Sequence, residues 1–108
     1  MLHHSLYKYT KKLEGFNKFV NPNEGIRIYF AYVVSEIRKT LAQNIRHYRK
    51  LHNLSQETLG FKCGMSNVYI SRIESGDFAV SIDTLDRIAK ALEVKPSLLL
   101  EPESYKSE

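Results

Sequence analysis

Ser66, Asn67, Val68, Ser71 and Arg72 lie within GMSNVYISRIESG, residues 64–76, a stretch that begins and ends on glycine. A helix advances about 100° per residue. Ile70 and Ile73 therefore share one face with Met65 just before it, and positions 67, 68, 71 and 72 form the opposite stripe. One face is built to pack and the other is offered to a partner through an amide, hydroxyls and a guanidinium. The chain carries no P-loop, no dinucleotide-binding glycine fingerprint and no serine elbow. The acids of its last third fall on helix faces open to water, so an enzyme is not expected.

Bulk properties narrow the partner. With 108 residues, 43% hydrophobic, 26% charged and 11% aromatic, the chain is an ordinary globular sequence long enough for one small domain and a tail or two. Its formal charge of +4 is uneven. Residues 1–40 hold seven Lys and Arg against three acids, residues 41–76 hold five against two, and residues 77–108 hold four against seven. The first two thirds suit a polyanion and the last third does not. Cys63 is the single cysteine, which excludes an internal disulfide and fits a reducing cytoplasm. The residue pattern puts Cys63 in a core, not at a redox-sensing position. No run of ~18 to 20 apolar residues is present for a membrane span, and a secretory signal pattern is missing, so the expected location is cytoplasmic. His3 and His4 have no partners at zinc-ligand spacing. No metal and no cofactor are expected.

The elements that position the stripe are punctuated from residue 41 onward. Leu41, Ile45, Tyr48 and Leu51 mark a first amphipathic helix. Ser55 caps QETLGFKC, which Gly64 ends. Ser66 caps a third helix that stops at Gly76, and Ser81 caps a fourth with Ile82, Leu85, Ile88, Ala89 and Leu92 on one stripe. Pro96 opens a last short helix, PSLLL, closed by Pro102. The expected domain is all-α, with five helices over 35–101, an N-terminal extension over 1–34 and a tail over 102–108. Seven of the twelve aromatics fall in 1–34, too ring-rich for a floppy arm. Within it Leu6, Tyr9, Leu13, Phe16 and Val20 follow helical spacing before the NPNEG break. IRIYFAYVV has strand composition, yet Ile26, Phe30, Val33, Ile37 and Leu41 run at helical spacing into the first helix, with Asn21, Pro22 and Glu24 as a start signal. The reading leans to helix.

LSQETLGFKCGMSNVYISRIESG followed by SIDTLDRIAKALEV resembles the helix-turn-helix of the phage-repressor and Cro family, which includes many restriction-modification regulators. The likeness covers residues 41–100, and its motifs come in the right order: Leu-Ser-Gln, the turn glycine, Tyr-Ile-Ser-x-Ile-Glu-x-Gly and Ile-Ala-x-Ala-Leu. Gly60 departs from the family's usual alanine, and the N-terminal extension is not covered. The resemblance implies a compact five-helix Cro/repressor-like domain that lays its third helix in the major groove of double-stranded DNA.

By the matching positions, Asn67, Val68 and Arg72 read bases, with Ser66 and Ser71 beside them. Asparagine suits adenine, arginine suits guanine and valine meets a thymine methyl. Gln56 is the family's phosphate contact and can also brace position 67. Asn53, Lys62, Tyr69 and the Gly76 amide are weaker phosphate candidates. Arg49 and Glu74 are implied to pair, clamping the reading helix. One helix reads too few base pairs for specificity, so a homodimer on an inverted repeat is expected. Leu98, Leu99 and Leu100, with Phe78 in the 78–80 loop, supply an apolar patch for it. The expected function is a transcriptional regulator. The rival from another class is an autoregulating antitoxin whose residues 1–34 bind a toxin partner, and a second rival is a protein-interaction adaptor with no DNA role.

Overall fold

Three serines start helices in the same way. In a computed structural model that describes residues 22–102, the Oγ atoms of Ser55, Ser66 and Ser81 accept from the backbone N–H groups of Thr58, Tyr69 and Thr84 at 3.0, 3.1 and 3.1 Å. Each bond satisfies a donor that a helix start otherwise leaves open, worth about 1 kcal/mol. The helices are α1 Pro22–Leu51, α2 Gln56–Cys63, α3 Asn67–Glu74, α4 Ile82–Leu92 and α5 Pro96–Leu99. The described residues contain no strand, so the fold is all-α. No helix among them is long and apolar enough to cross a membrane.

Three helices also end alike. Asn53, Gly64 and Glu93 adopt left-handed backbone, with φ of 57°, 71° and 60°. The next residue's N–H then reaches back across the last turn: Leu54 to the Arg49 carbonyl at 3.0 Å, Met65 to Gly60 at 2.7 Å and Val94 to Ala89 at 3.0 Å. This double closure satisfies carbonyls that would otherwise be orphaned.

IRIYFAYVV is helical and runs without a break into the first amphipathic segment. The chain divides into two compact units within α1, at Glu36 and Ile37. In the first unit the described part of α1 leaves Ile26, Phe30 and Val34 exposed, and the Tyr29 and Phe30 rings meet edge to face at 5.7 Å. The aromatic residues before Asn21 and the tail beyond Pro102 lie outside the described residues.

The core belongs to the second unit and joins Leu41, Ile45 and Tyr48 of α1 to Leu59, Cys63, Ile70, Ile73, Ile88, Ala89, Leu92 and Leu99. Three expectations are corrected here, and the first is Ile82, which is 83% exposed at the start of α4 and not on its packed stripe. Leu51 is exposed, because α1 ends there and the half-buried Leu54 takes up the packing. Leu99 is fully buried and cannot contribute to a dimer patch, whereas Leu98 is half-buried and Leu100 exposed. Asn44, also fully buried, holds the last described turn. Its Nδ2 donates to the carbonyls of Leu99 at 2.9 Å and Glu101 at 2.7 Å, tying α1 to the last turn of the domain.

Gly60 sets the tightness of the turn between α2 and α3. A Cβ there would lie 2.5 Å from the Met65 carbonyl oxygen and 3.2 Å from the Ser66 backbone. Alanine is the better helix former by up to ~1 kcal/mol, but overpacking against backbone costs about 1 to 3 kcal/mol. Gly60→Ala should therefore lower Tm by about 4 to 8 °C, the shift for about 1 kcal/mol in a domain this small. An unchanged or higher Tm would show that the turn relaxes freely.

Candidate nucleic-acid interface

α3 is only eight residues long, so its orientation is imposed from outside. Its inner face buries Ile70 and Ile73 among the core residues. At its last position Glu74 is buried as well, although it is charged. A carboxylate out of water needs charged and polar partners, and two helices supply them. Arg49 of α1 donates from Nε to Oε2 at 2.7 Å and from Nη2 to Oε1 at 2.9 Å, a two-point fork. Its Nη1 donates to the Leu54 carbonyl at 2.9 Å, and Gln56 at the start of α2 donates from Nε2 to Oε1 at 3.3 Å. Arg46 adds a longer bond, 3.4 Å, to the Glu74 backbone carbonyl, where a cation also suits the negative end of α3. The bond to Glu74 raises the Arg49 pKa above its ordinary value, against the opposing effect of burial.

The outer face carries Ser66, Asn67, Val68, Ser71 and Arg72, all exposed. Val68 is 63% exposed, an apolar side chain turned to water beside polar ones. Ser66 also has a structural duty as the α3 cap. The Arg72 guanidinium makes no hydrogen bond or ion pair with any described side chain, and its carbon sits 5.1 Å over the Phe78 ring. Phe78 in turn meets Tyr69 edge to face at 5.2 Å.

The expected phosphate contacts disperse. Gln56 does not brace position 67, because its amide is drawn to the buried carboxylate of Glu74. Gly76 is buried and its N–H already donates to the Ile73 carbonyl at 3.2 Å, so that amide is not open to a phosphate. Asn53 is exposed at the left-handed end of α1. Lys62 lines a cleft of about 450 Å³ with Cys63 of α2 and Arg87, Lys90, Ala91 and Glu93, a group that includes no α3 residue. Tyr69 is half-buried against Phe78. Sequence reasoning missed Arg46, although Gln43, Arg46, His47 and Lys50 recur at helical spacing and line one basic cleft on α1. It also missed Asn44, which the polar residues around it on α1 do not set apart in the sequence. Phe78, expected in a dimer patch, lies under the Arg72 guanidinium, and nothing in the sequence signals that contact.

Two short helices joined by a tight turn, clamped by a buried ion pair and presenting one polar stripe, define a helix-turn-helix. The comparisons agree. A family profile described as helix-turn-helix matches residues 45–99. The chain is 41% identical over 70 residues to control protein C.BamHI of Bacillus amyloliquefaciens, spanning 64% of this chain and 86% of that protein. It is 38% identical over 73 residues to control protein C.SmaI of Serratia marcescens, spanning 68% and 87%. The P22 c2 repressor, crystallised with a synthetic operator, superposes with a TM-score of 0.55 at 33% identity, covering 58% of this chain and 96% of that one. The chain belongs to the helix-turn-helix family HTH_3, and it is a transcriptional regulator of the controller and repressor type, not an enzyme.

Arg49→Ala would leave Glu74 buried without its fork, a loss of about 3 to 5 kcal/mol, readable by urea unfolding; a loss under ~1 kcal/mol, the range of surface pairs, would mean water replaces the arginine. The Cys63 thiol is pushed above its ordinary pKa by burial, partly offset by the charge of Arg87. A higher pKa means less thiolate at a given pH. Alkylation at pH 8 should therefore be slow in the native protein and fast in urea, and equal rates would show an open thiol.

Proposed function

We propose that the protein is a sequence-specific transcriptional regulator that seats α3 in the major groove of duplex DNA and binds an inverted-repeat operator as a homodimer. The observation that carries this reading is the division of α3 into one face locked to the core and one face left to a partner. Asn67 pairs with adenine, Arg72 with guanine and Val68 with a thymine methyl, since the groove shows a distinct donor and acceptor pattern for each base pair. Ser66 and Ser71 flank them.

Phosphate contacts come from the first turn of α2, where backbone N–H groups and the helix dipole favour an anion. Asn53 and Lys62 remain further candidates, joined by Arg46. A helix of this length reads too few base pairs alone, so two copies engage half-sites about 34 Å apart. Leu98 and Leu100 provide the apolar contact between them. The likeness to two control proteins and to a repressor crystallised with its operator supports promoter occupancy as the mode of action. The antitoxin alternative rests on residues 1–34, most of which lie outside the described residues, and no described feature favours it.

Selection of bound duplexes from a random pool should return an inverted repeat. Against the selected site, Arg72→Ala should lose about 1 to 3 kcal/mol at sites carrying the cognate guanine and much less elsewhere. Wild-type affinity should fall steeply with salt, because phosphate contacts release counterions. Equal losses on every sequence would move Arg72 to the phosphates, and a flat salt response would remove DNA as the partner.

A further inference from the structure

A side chain that reads a base has two competing needs. It must be held near its working position, because a long arginine gives up rotamer freedom on binding. Its N–H donors must also remain open, because two of them are to be spent on the guanine edge. A carboxylate neighbour meets the first need and defeats the second. Arg49 illustrates this: its donors are consumed by Glu74 and Leu54. An aromatic ring meets both, since it attracts the cation through its π-face and accepts none of the five N–H bonds in the ordinary way.

We propose that Phe78 is the positioning residue for Arg72, holding its guanidinium on the reading face so that the base-pair preference at that position depends on a ring that touches no DNA. The inference rests on the reading of Arg72 proposed above. The guanidinium carbon lies 5.1 Å from the ring centroid, and no described acidic side chain pairs with it.

The ring is itself anchored. It is partly buried against the core and meets Tyr69 at 5.2 Å with the planes 83° apart, a favoured aromatic geometry. Tyr69 and Arg72 are three apart on α3, so they are neighbours on its surface. Phe78 therefore bridges one half-buried and one exposed position of the same helix. The loop that carries it is pinned where it leaves α3, since the Ser75 hydroxyl lies 2.7 Å from Asp77 Oδ1. Phe78 is thereby removed from the apolar patch expected to join two copies and given a part in specificity.

The test measures binding to the selected site and to its single base-pair variants, at fixed salt, for wild type, Phe78→Leu, Phe78→Tyr and Arg72→Ala. Phe78→Leu keeps an apolar side chain and loses the ring face. It should reduce discrimination at the base pair read by Arg72 by about two- to fivefold, the exposed cation–π range converted to a ratio. Discrimination at the Asn67 position, the salt slope and the dimer dissociation constant should not move. Phe78→Tyr should retain wild-type preference. Should Phe78→Leu fail to fold, Phe78→Met takes its place.

A uniform loss at every base pair, a weakened dimer with preference intact, or a gain in discrimination would each overturn the proposal. Arg72→Ala separates the two levels. If it has no base-selective effect, the reading of Arg72 fails and this inference falls with it. If it has one and the ring variants do not, only the inference about Phe78 fails.

Discussion

The carboxylate of Glu74 is the point on which the geometry turns. It lies out of water at the last position of α3, and every donor that compensates it comes from another part of the chain: Arg49 from α1 and Gln56 from α2. A buried ion pair of this kind does not make a domain stable by itself, because desolvation consumes most of the Coulomb gain. What it imposes is uniqueness. A slide of α3 along the core, or a roll about its axis, would strand a charge in an apolar setting. The apolar contacts of Ile70 and Ile73 tolerate several helix orientations, and the fork from Arg49 tolerates one.

That constraint explains why so little of α3 is needed. An eight-residue helix is too short to persist alone in water, yet here it is capped by Ser66, closed at Ser75 and fastened at Glu74. Its outer face can then be chosen for recognition with almost no regard for stability. An exposed Val68 and an Arg72 with open donors are poor choices for holding a helix together, and they suit the base contacts proposed for them.

Local features of the fold were legible in the sequence because they are written in residues with local consequences. Ser55, Ser66 and Ser81 cap within their own turn, and Gly64 supplies a left-handed step that few residues take cheaply. The Arg49 to Glu74 pairing was reachable only through the family resemblance. Features that depend on distant neighbours were not legible. Leu98, Leu99 and Leu100 are chemically alike, and only the packing of α5 decides that the middle one is buried. The helix over IRIYFAYVV, by contrast, was legible despite its strand composition, because Ile26, Phe30, Val33 and Ile37 keep helical spacing into Leu41. The contact of Gln56 with Glu74 spans eighteen positions, and the ring beneath Arg72 belongs to a loop whose path follows no periodicity.

Asn44 has a consequence for the life of the chain in the cell. Its Nδ2 finds its shortest bonds at carbonyls that lie fifty-five and fifty-seven positions later, so this tie on α1 cannot close before the last described turn has been made. Until then it carries a buried-type amide and an uncovered hydrophobic seam, which is the condition that chaperones recognise. A polypeptide cut short of Leu99 would leave that buried donor without its carbonyls, a cost of about 1 to 3 kcal/mol.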